Sequence, residues 1–198
     1  MRIGIDLDDV LGDHMGQFII FHNRSYKTTL ERKDFTSFNL SKSLELPMEE
    51  TRRHLEEFYK SPEFFGTPPM NGSVEAIEIL AQKYKLVVIT SRPKEQAKDT
   101  IDWLDRYFPN KFSDFYLLGN QESYSQKKKA HICIYDGISL LIEDSLENAQ
   151  DCSTGTRVIL YDAPWNQSEN LPQMVHRAYS WGDILKMIGS KSIFCIKR

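Results

Sequence analysis

Residues 2–14 read "RIGIDLDDVLGDH", an apolar run that ends in the carboxylates Asp6, Asp8, Asp9 and Asp13. Asp6 and Asp8 are two residues apart, so in an extended segment their side chains share a face. Carboxylates this close repel, and a divalent cation would relieve the repulsion. Only hard oxygen ligands are on offer, which favours Mg²⁺ over zinc. Two later apolar runs also end in polar groups: "LVVI" meets Thr90, Ser91 and Arg92, and "LLI" meets Glu143 and Asp144, with Lys127, Lys128 and Lys129 upstream of the latter. A cation, a lysine and a carboxylate pair suit a phosphate ester. The positive charges neutralise its oxygens, and a carboxylate can then approach phosphorus.

These residues need elements to bring them together. Strands are expected at Arg2–Leu7, Leu86–Thr90, Phe115–Leu118, Leu140–Ile142 and Arg157–Tyr161, all near-continuous in hydrophobicity as doubly covered strands are. Helical patterns lie between them. In "NGSVEAIEILAQKY" Ser73 is placed to cap a helix whose Val74, Ile77 and Leu80 share a face. In "SRPKEQAKDTIDWLDRYFP" Pro93 suits the first turn, and Ala97, Ile101 and Leu104 share a face. "SQKKKAHICIYDG" reads as a third helix with Gly137 past its end. "SLENAQDCSTG" reads as a fourth, stopped near Gly155. Alternation of strand and helix predicts a parallel α/β sheet with helices on both faces. In such sheets ligands bind beyond the carboxyl ends of the strands, where the polar residues fall.

The stretch from about Gly16 to Phe65 breaks this rhythm. "GQFIIFHNRSY" and "PMEETRRHLEEFYKS" read as helices around a polar, aromatic-dotted middle. It reads as an insertion after the first strand, with flexible or turning connections at Gly12, Gly16 and "GTPPMNG". The expected division is a core of 1–15 and 66–198 and a helical insertion of 16–65.

Composition sets the bounds. The chain has 198 residues, 40% hydrophobic and 27% charged, with a formal net charge of -3. That balance gives no electrostatic reason to expect a nucleic acid polymer or an anionic membrane as partner. Three cysteines without CxxC spacing argue against a disulfide scaffold or a thiolate zinc site and make a reducing compartment the default. Neither a signal-peptide pattern nor an 18-residue apolar stretch is found, so a cytoplasmic protein is expected.

At this point the chain resembles a known family. "DLDDV" is similar to the first motif, DxDx[TV], of the haloacid dehalogenase (HAD) superfamily of phosphohydrolases. "VVITS" resembles its second motif, a lysine in "KKKA" its third, and "LLIEDS" its fourth. The four occur in order, and the resemblance spans residues 1 to about 162. The insertion sits where members with a C1 cap carry theirs. Within that group, "IDLDDVLGDH", "ITSRP", "IEDSLENA" and "LYDAPWN" look most like the 5'-nucleotidase, deoxyribonucleotidase-type branch. Many branch members have Gly where this chain has Asp9, a departure expected to alter local charge and not the reaction type.

The resemblance implies a HAD-like Rossmann-type fold and a set of roles. Asp6 would be the nucleophile that takes the phosphoryl group. Asp8 would protonate the leaving oxygen and then deprotonate water. Asp6, the Asp8 backbone carbonyl and Asp144 would hold Mg²⁺. Thr90 would hydrogen-bond a phosphate oxygen. Lys129, favoured over Lys127 and Lys128 by its spacing to "AHIC", would pair with phosphate and nucleophile, held by Glu143 or a neighbour. The implied substrate is a nucleoside monophosphate. A sugar phosphate is the rival within enzymes. A non-catalytic HAD-like binding protein is the rival outside them, although it would be free to lose Asp6, Asp8 or Lys129. Halide removal is disfavoured, since it has no leaving alkoxide to protonate.

Several residues have plainer readings. Thr90 alone is an ordinary β-branched strand residue. Asp144 and Glu147 have capping-box spacing. Ser91 and Arg92 are candidate substrate contacts that could equally serve the next helix. His14 is a candidate pocket residue, although an unpaired His is more often structural. Phe35 and Phe38 are expected in the core of the insertion more than against a base. The tail "SIFCIKR" has no assigned role.

Overall fold

The computed structural model describes residues 1–119 and 129–190. Strand β1 (Arg2–Ile5) leads into a helical segment of α1 (His14–Tyr26), α2 (Leu40–Ser43), α3 (Met48–Phe58) and α4 (Pro62–Phe65). Then follow α5 (Ser73–Ala81), β2 (Lys85–Thr90), α6 (Ala97–Tyr107), β3 (Phe112–Leu117) and α7 (Lys129–Tyr135). The chain continues through β4 (Ile138–Glu143), α8 (Leu146–Cys152), β5 (Arg157–Tyr161), β6 (Val175–Ala178) and α9 (Trp181–Gly189).

The strands form one parallel sheet in the order β3-β2-β1-β4-β5-β6. Alternate residues feed two cores. Ile3, Ile5, Val88 and Ile142 pack with Ile77, Leu104 and Ile184 of α5, α6 and α9. Val87, Ile89, Leu141 and Val158 pack with Ile132 and Ala149 of α7 and α8. This is the doubly covered α/β sheet that the apolar runs predict. The order reverses around β1: β2 lies on one side and β4 on the other. Side chains beyond Ile5, Thr90 and Glu143 therefore converge at a switch point.

Some local expectations are corrected. β1 ends at Ile5, so Asp6 and Asp8 do not share a strand face; the chain turns at Leu7, and Leu11 N–H donates back to the Leu7 carbonyl. Gly72, at φ 79°, is the N-cap of α5, and Ser73 is its first residue, donating to the Leu11 carbonyl. Val74 and Ile101 face solvent, while Ala76, Thr100 and Trp103 turn inward. Pro93 precedes a 3-10 turn, Lys94–Gln96, instead of the first turn of α6. Ser145, not Asp144, caps α8 by accepting from Asn148 N–H. Gly137 has the left-handed φ of 62° that its place past α7 demands. Lys127, Lys128, the start of the third helical pattern and the tail lie outside the described residues.

The helical segment has its own core, built from Phe18, Phe21, Phe35, Phe58 and Phe64. Burying each such ring contributes roughly 1.5–3 kcal/mol. Phe35 is fully buried there, as expected, but Phe38 is 60% exposed. The two connections to the sheet run side by side. Asp13 N–H donates to the Pro68 carbonyl at 2.9 Å, and Met70 N–H to the Leu11 carbonyl at 2.7 Å.

A second feature of this segment is a buried histidine pair. His22 Nε2 lies 3.2 Å from His54 Nδ1, His22 Nδ1 lies 2.9 Å from Thr28 Oγ1, and Tyr26 stacks on His54. Burial, reinforced by His54, pushes the His22 pKa down to about 4. Burial also lowers His54. In the unfolded chain both titrate near 6.5. Unfolded segments therefore take up protons below about pH 6.5 that the folded segment refuses until about pH 4, so stability falls across that window. Hydrogen exchange of α1 and α3 amides at pH 7.5 and 5 is expected to show selective loosening at the lower pH. A His22→Leu variant should flatten this dependence, and equal protection at both pH values would refute it.

Candidate active site

The first motif carboxylates separate, each toward its own partner. Asp6 accepts from Leu7 N–H at 2.7 Å and pairs with Lys129 Nζ at 2.7 Å. Lys129, the first residue of α7, is 1% exposed and also donates to Glu143 Oε2 at 2.7 Å. The other oxygen of Glu143 accepts from Ser145 N–H and Asn148 Nδ2. Burial alone would lower the lysine pKa, but Asp6 and Glu143 outweigh it and hold the ammonium charged.

Asp8 is gripped by Arg92, 84 residues away. Arg92 Nε donates to Asp8 Oδ2 at 3.0 Å and Nη2 to Oδ1 at 2.6 Å, a two-pronged fork. Burial works to raise the Asp8 pKa, and the guanidinium overrides it, down to about 2. Arg92 also donates to Thr100 Oγ1, and its guanidinium carbon lies 4.9 Å from the centre of the Phe64 ring. Thr90 is buried at the end of β2, where its hydroxyl accepts from Arg92 N–H.

Asp9 and Asp13 serve the helical segment. Asp9 accepts from Met15 N–H and from Arg32 Nη2 at 2.8 Å, and Asp13 caps α1 and also accepts from Arg32. Burial pushes Asp9 up to about 7 despite the arginine.

Asp144 is 3% exposed and stands apart. Its Oδ2 accepts from Trp165 Nε1 at 2.8 Å, and among the described residues no cation pairs with it. Its pKa is raised by burial and then by Glu143 and Asp6; Asp6 is raised by burial and Glu143. One oxygen from each of Asp6, Glu143 and Asp144 lies within 4.8 Å of the others. These buried hard-oxygen donors, with negative charge in excess of the single lysine, fit a divalent cation such as Mg²⁺. Glu143 and Asp6 each have both oxygens engaged within the site, whereas Asp144 accepts through Oδ2 from Trp165. The Asp8 side chain is turned to Arg92.

Asp6, Asp8, His14, Thr90, Ser91, Arg92 and Asp144 all line one cavity of about 340 Å³. Lys129 lies beneath it. The helical segment adds Phe38, Leu40, Met48, Leu55 and Tyr59 to the lining, with Ser37, Asn39, Ser41 and Thr51 between them. His14 packs edge-on against Phe58 and Phe64, and its buried Nε2 has no hydrogen-bond partner among the described residues. Phe38, weighed in the sequence as a core residue of the insertion, lines the cavity instead, and Tyr59, Asn148 and Trp165 escaped the sequence reading. Trp165 had a signal, the "LYDAPWN" block; the others carried none.

Comparison with known proteins decides the family. Residues 1–193 match the model of the "5' nucleotidase, deoxy (Pyrimidine), cytosolic type C" family. The chain belongs to that family. A 5'(3')-deoxyribonucleotidase of Bacillus subtilis (strain 168) is 29% identical over 185 residues, covering 92% of this chain and 95% of that protein. The putative nucleotidase YqfW of the same organism is 25% identical over 173 residues, covering 84% and 83%. A haloacid dehalogenase-like hydrolase, SP0104 from Streptococcus pneumoniae, shares the fold at TM-score 0.68 and 16% identity, covering 94% and 97%. The HAD-hydrolase YfnB from Bacillus subtilis, solved bound to magnesium, superposes at TM-score 0.61 and 14% identity, covering 94% and 97%. The chain is thus a HAD-fold phosphoric monoester hydrolase of the nucleotidase type. Among the described residues no helix is long and apolar enough to cross a membrane.

Replacing Lys129 strands two buried carboxylates. Lys129→Met is expected to cost about 3–5 kcal/mol in urea unfolding. The double variant Lys129→Met, Glu143→Gln should recover part of that loss. A single variant as stable as the parent would remove the lysine from the centre of this network.

Proposed function

We propose that the protein is a Mg²⁺-dependent 5'-nucleotidase that hydrolyses (deoxy)ribonucleoside monophosphates through an aspartyl phosphate on Asp6. The observation that carries the substrate class is the two-sided cavity. One side gathers Asp6, Asp8, Thr90 and Arg92; the other, from the helical segment, sets Phe38, Leu40, Met48, Leu55 and Tyr59 among Ser37, Asn39, Ser41 and Thr51. A phosphate suits the first, and a base suits the second by burying its faces. The hydroxyl and amide groups among those side chains can serve the polar edge of a base. The reading takes residues 16–65 as the cap that supplies that side. Buried free Cys133 and Cys152 accord with a reducing, cytoplasmic compartment.

In this reading Lys129 keeps Asp6 anionic and aimed at phosphorus. Asp6 attacks, the bond from phosphorus to the ester oxygen breaks, and Asp8 gives that oxygen a proton. Asp8 then takes a proton from water, whose oxygen attacks the phosphoryl group and frees Asp6. Mg²⁺, held by Asp6, Asp144 and the Asp8 carbonyl, would supply charge neutralisation at the phosphate oxygens. Thr90 donates its hydroxyl to a phosphate oxygen. Asp8, ion-paired to Arg92, is the base form; to act as acid it must part from the guanidinium and take up a proton, from solvent or from a monoprotonated phosphate ester, before the ester oxygen leaves.

Asp6→Asn is expected to abolish hydrolysis of nucleoside monophosphates with the fold intact, and Asp8→Asn to slow it at least about 100-fold. EDTA should silence the parent reversibly. Parent-level turnover by Asp6→Asn would refute the mechanism. A panel of nucleotides and sugar phosphates tests the substrate class, and preference for sugar phosphates would overturn it. Phe38→Ala should raise KM for a nucleotide about 5-fold or more, since stacking a base is worth about 1–3 kcal/mol. It should leave glycerol phosphate turnover unchanged.

A further inference from the structure

One chain of contacts runs from the helical segment to the cation-binding carboxylate and is used by none of the steps above. Arg32, in the 3-10 turn Arg32–Asp34, pairs with Asp9 and Asp13 at the end of the first motif. Its guanidinium carbon lies 5.3 Å from the centre of the Trp165 ring. Trp165 follows β5, yet it packs in the aromatic core of the helical segment with Phe18, Phe35 and Phe58. Its indole N–H is the donor to Asp144 Oδ2. Asn166, the next residue, donates to the Asp144 backbone carbonyl at 2.7 Å, so both ends of Asp144 hang on this turn.

Asp9 adds an independent sign of construction. It is a non-glycine residue at φ 58°, a left-handed backbone that is unfavourable for a residue with a side chain. Gly would relieve that cost, but it could not accept from Arg32. The strain is tolerated where it anchors the guanidinium above Trp165.

We propose that Arg32 and Trp165 are positioning residues for Asp144, so that seating of the helical segment and cation affinity are coupled. With the segment seated, Arg32 covers the indole, the indole N–H fixes one oxygen of Asp144, and the other oxygen is left aimed at the ion. With the segment displaced, Trp165 loses its cover and Asp144 its orienting donor. Linkage makes the effect reciprocal: the cation favours the seated arrangement by the same factor. This rests on the proposed cation site at Asp6 and Asp144.

Mn²⁺ binding, followed by electron paramagnetic resonance without substrate, tests it. Trp165→Phe keeps the ring and deletes the N–H; it should weaken Mn²⁺ binding about 10- to 100-fold, the usual effect of losing a group that orients a ligand. Arg32→Gln, which leaves Trp165 buried, should weaken it about 5-fold or more. Hydrogen exchange supplies a second readout: Mn²⁺ should protect amides of residues 31–35 in the parent and not in Trp165→Phe. Parent-like Mn²⁺ affinity in Arg32→Gln overturns the coupling, whether or not Trp165→Phe folds. A parent that binds no Mn²⁺ overturns the cation site itself, and the coupling with it.

Discussion

The buried ammonium of Lys129, shared between Asp6 and Glu143, is the interaction on which the site depends. The parallel register aligns Ile5 with Ile142, which sets Asp6 beside Glu143 at the end of two neighbouring strands. Two carboxylates there without a cation would cost several kcal/mol of desolvation and repulsion. The lysine at the start of α7 makes the arrangement affordable, but it balances only part of the charge. The remaining acids are apportioned: Asp8 to Arg92, Asp9 and Asp13 to Arg32. Among the described residues Asp144 has only an indole N–H. The fold thus leaves its excess negative charge in one place.

Much of this was legible in the chain. Runs such as "RVILY" and "KLVVIT" are continuous enough in hydrophobicity to mark buried parallel strands, and the acids and the threonine that follow them mark the functional edge. The limits came from distance and identity. Nothing in "ITSRP" says that Arg92 holds Asp8, since partners 84 residues apart leave no periodic trace. Phe35 and Phe38 are the same residue type three positions apart, yet one is sealed in a core and the other lies open to the cavity. Val74 and Ile101 fit helical spacing but face solvent, because tertiary packing selected their neighbours Ala76, Thr100 and Trp103. β6 and α9 went unanticipated, although Ser180 capping α9 is an ordinary start signal.

Two arginine stacks join the helical segment to the loops at the strand ends. Arg92 of the sheet lies over Phe64 of the segment, and Arg32 of the segment lies over Trp165 of the sheet. Each arginine also holds a carboxylate of the first motif. The two stacking contacts are therefore also the points where packing of the aromatic core is transmitted to charge at the reacting end of the cavity.

The paired connections at Asp13–Pro68 and Leu11–Met70 have a further consequence. A stretch of some fifty residues leaves and rejoins the sheet at almost one point, so its length matters little to the strands beneath. Closure entropy grows only as the logarithm of loop length. By that logic the segment can lengthen, shorten or be exchanged for another helical unit without changing the register of β1 against β2 and β4. Substrate preference and chemistry are then separable in evolution: the wall of the cavity can drift while the carboxylates stay where the sheet holds them.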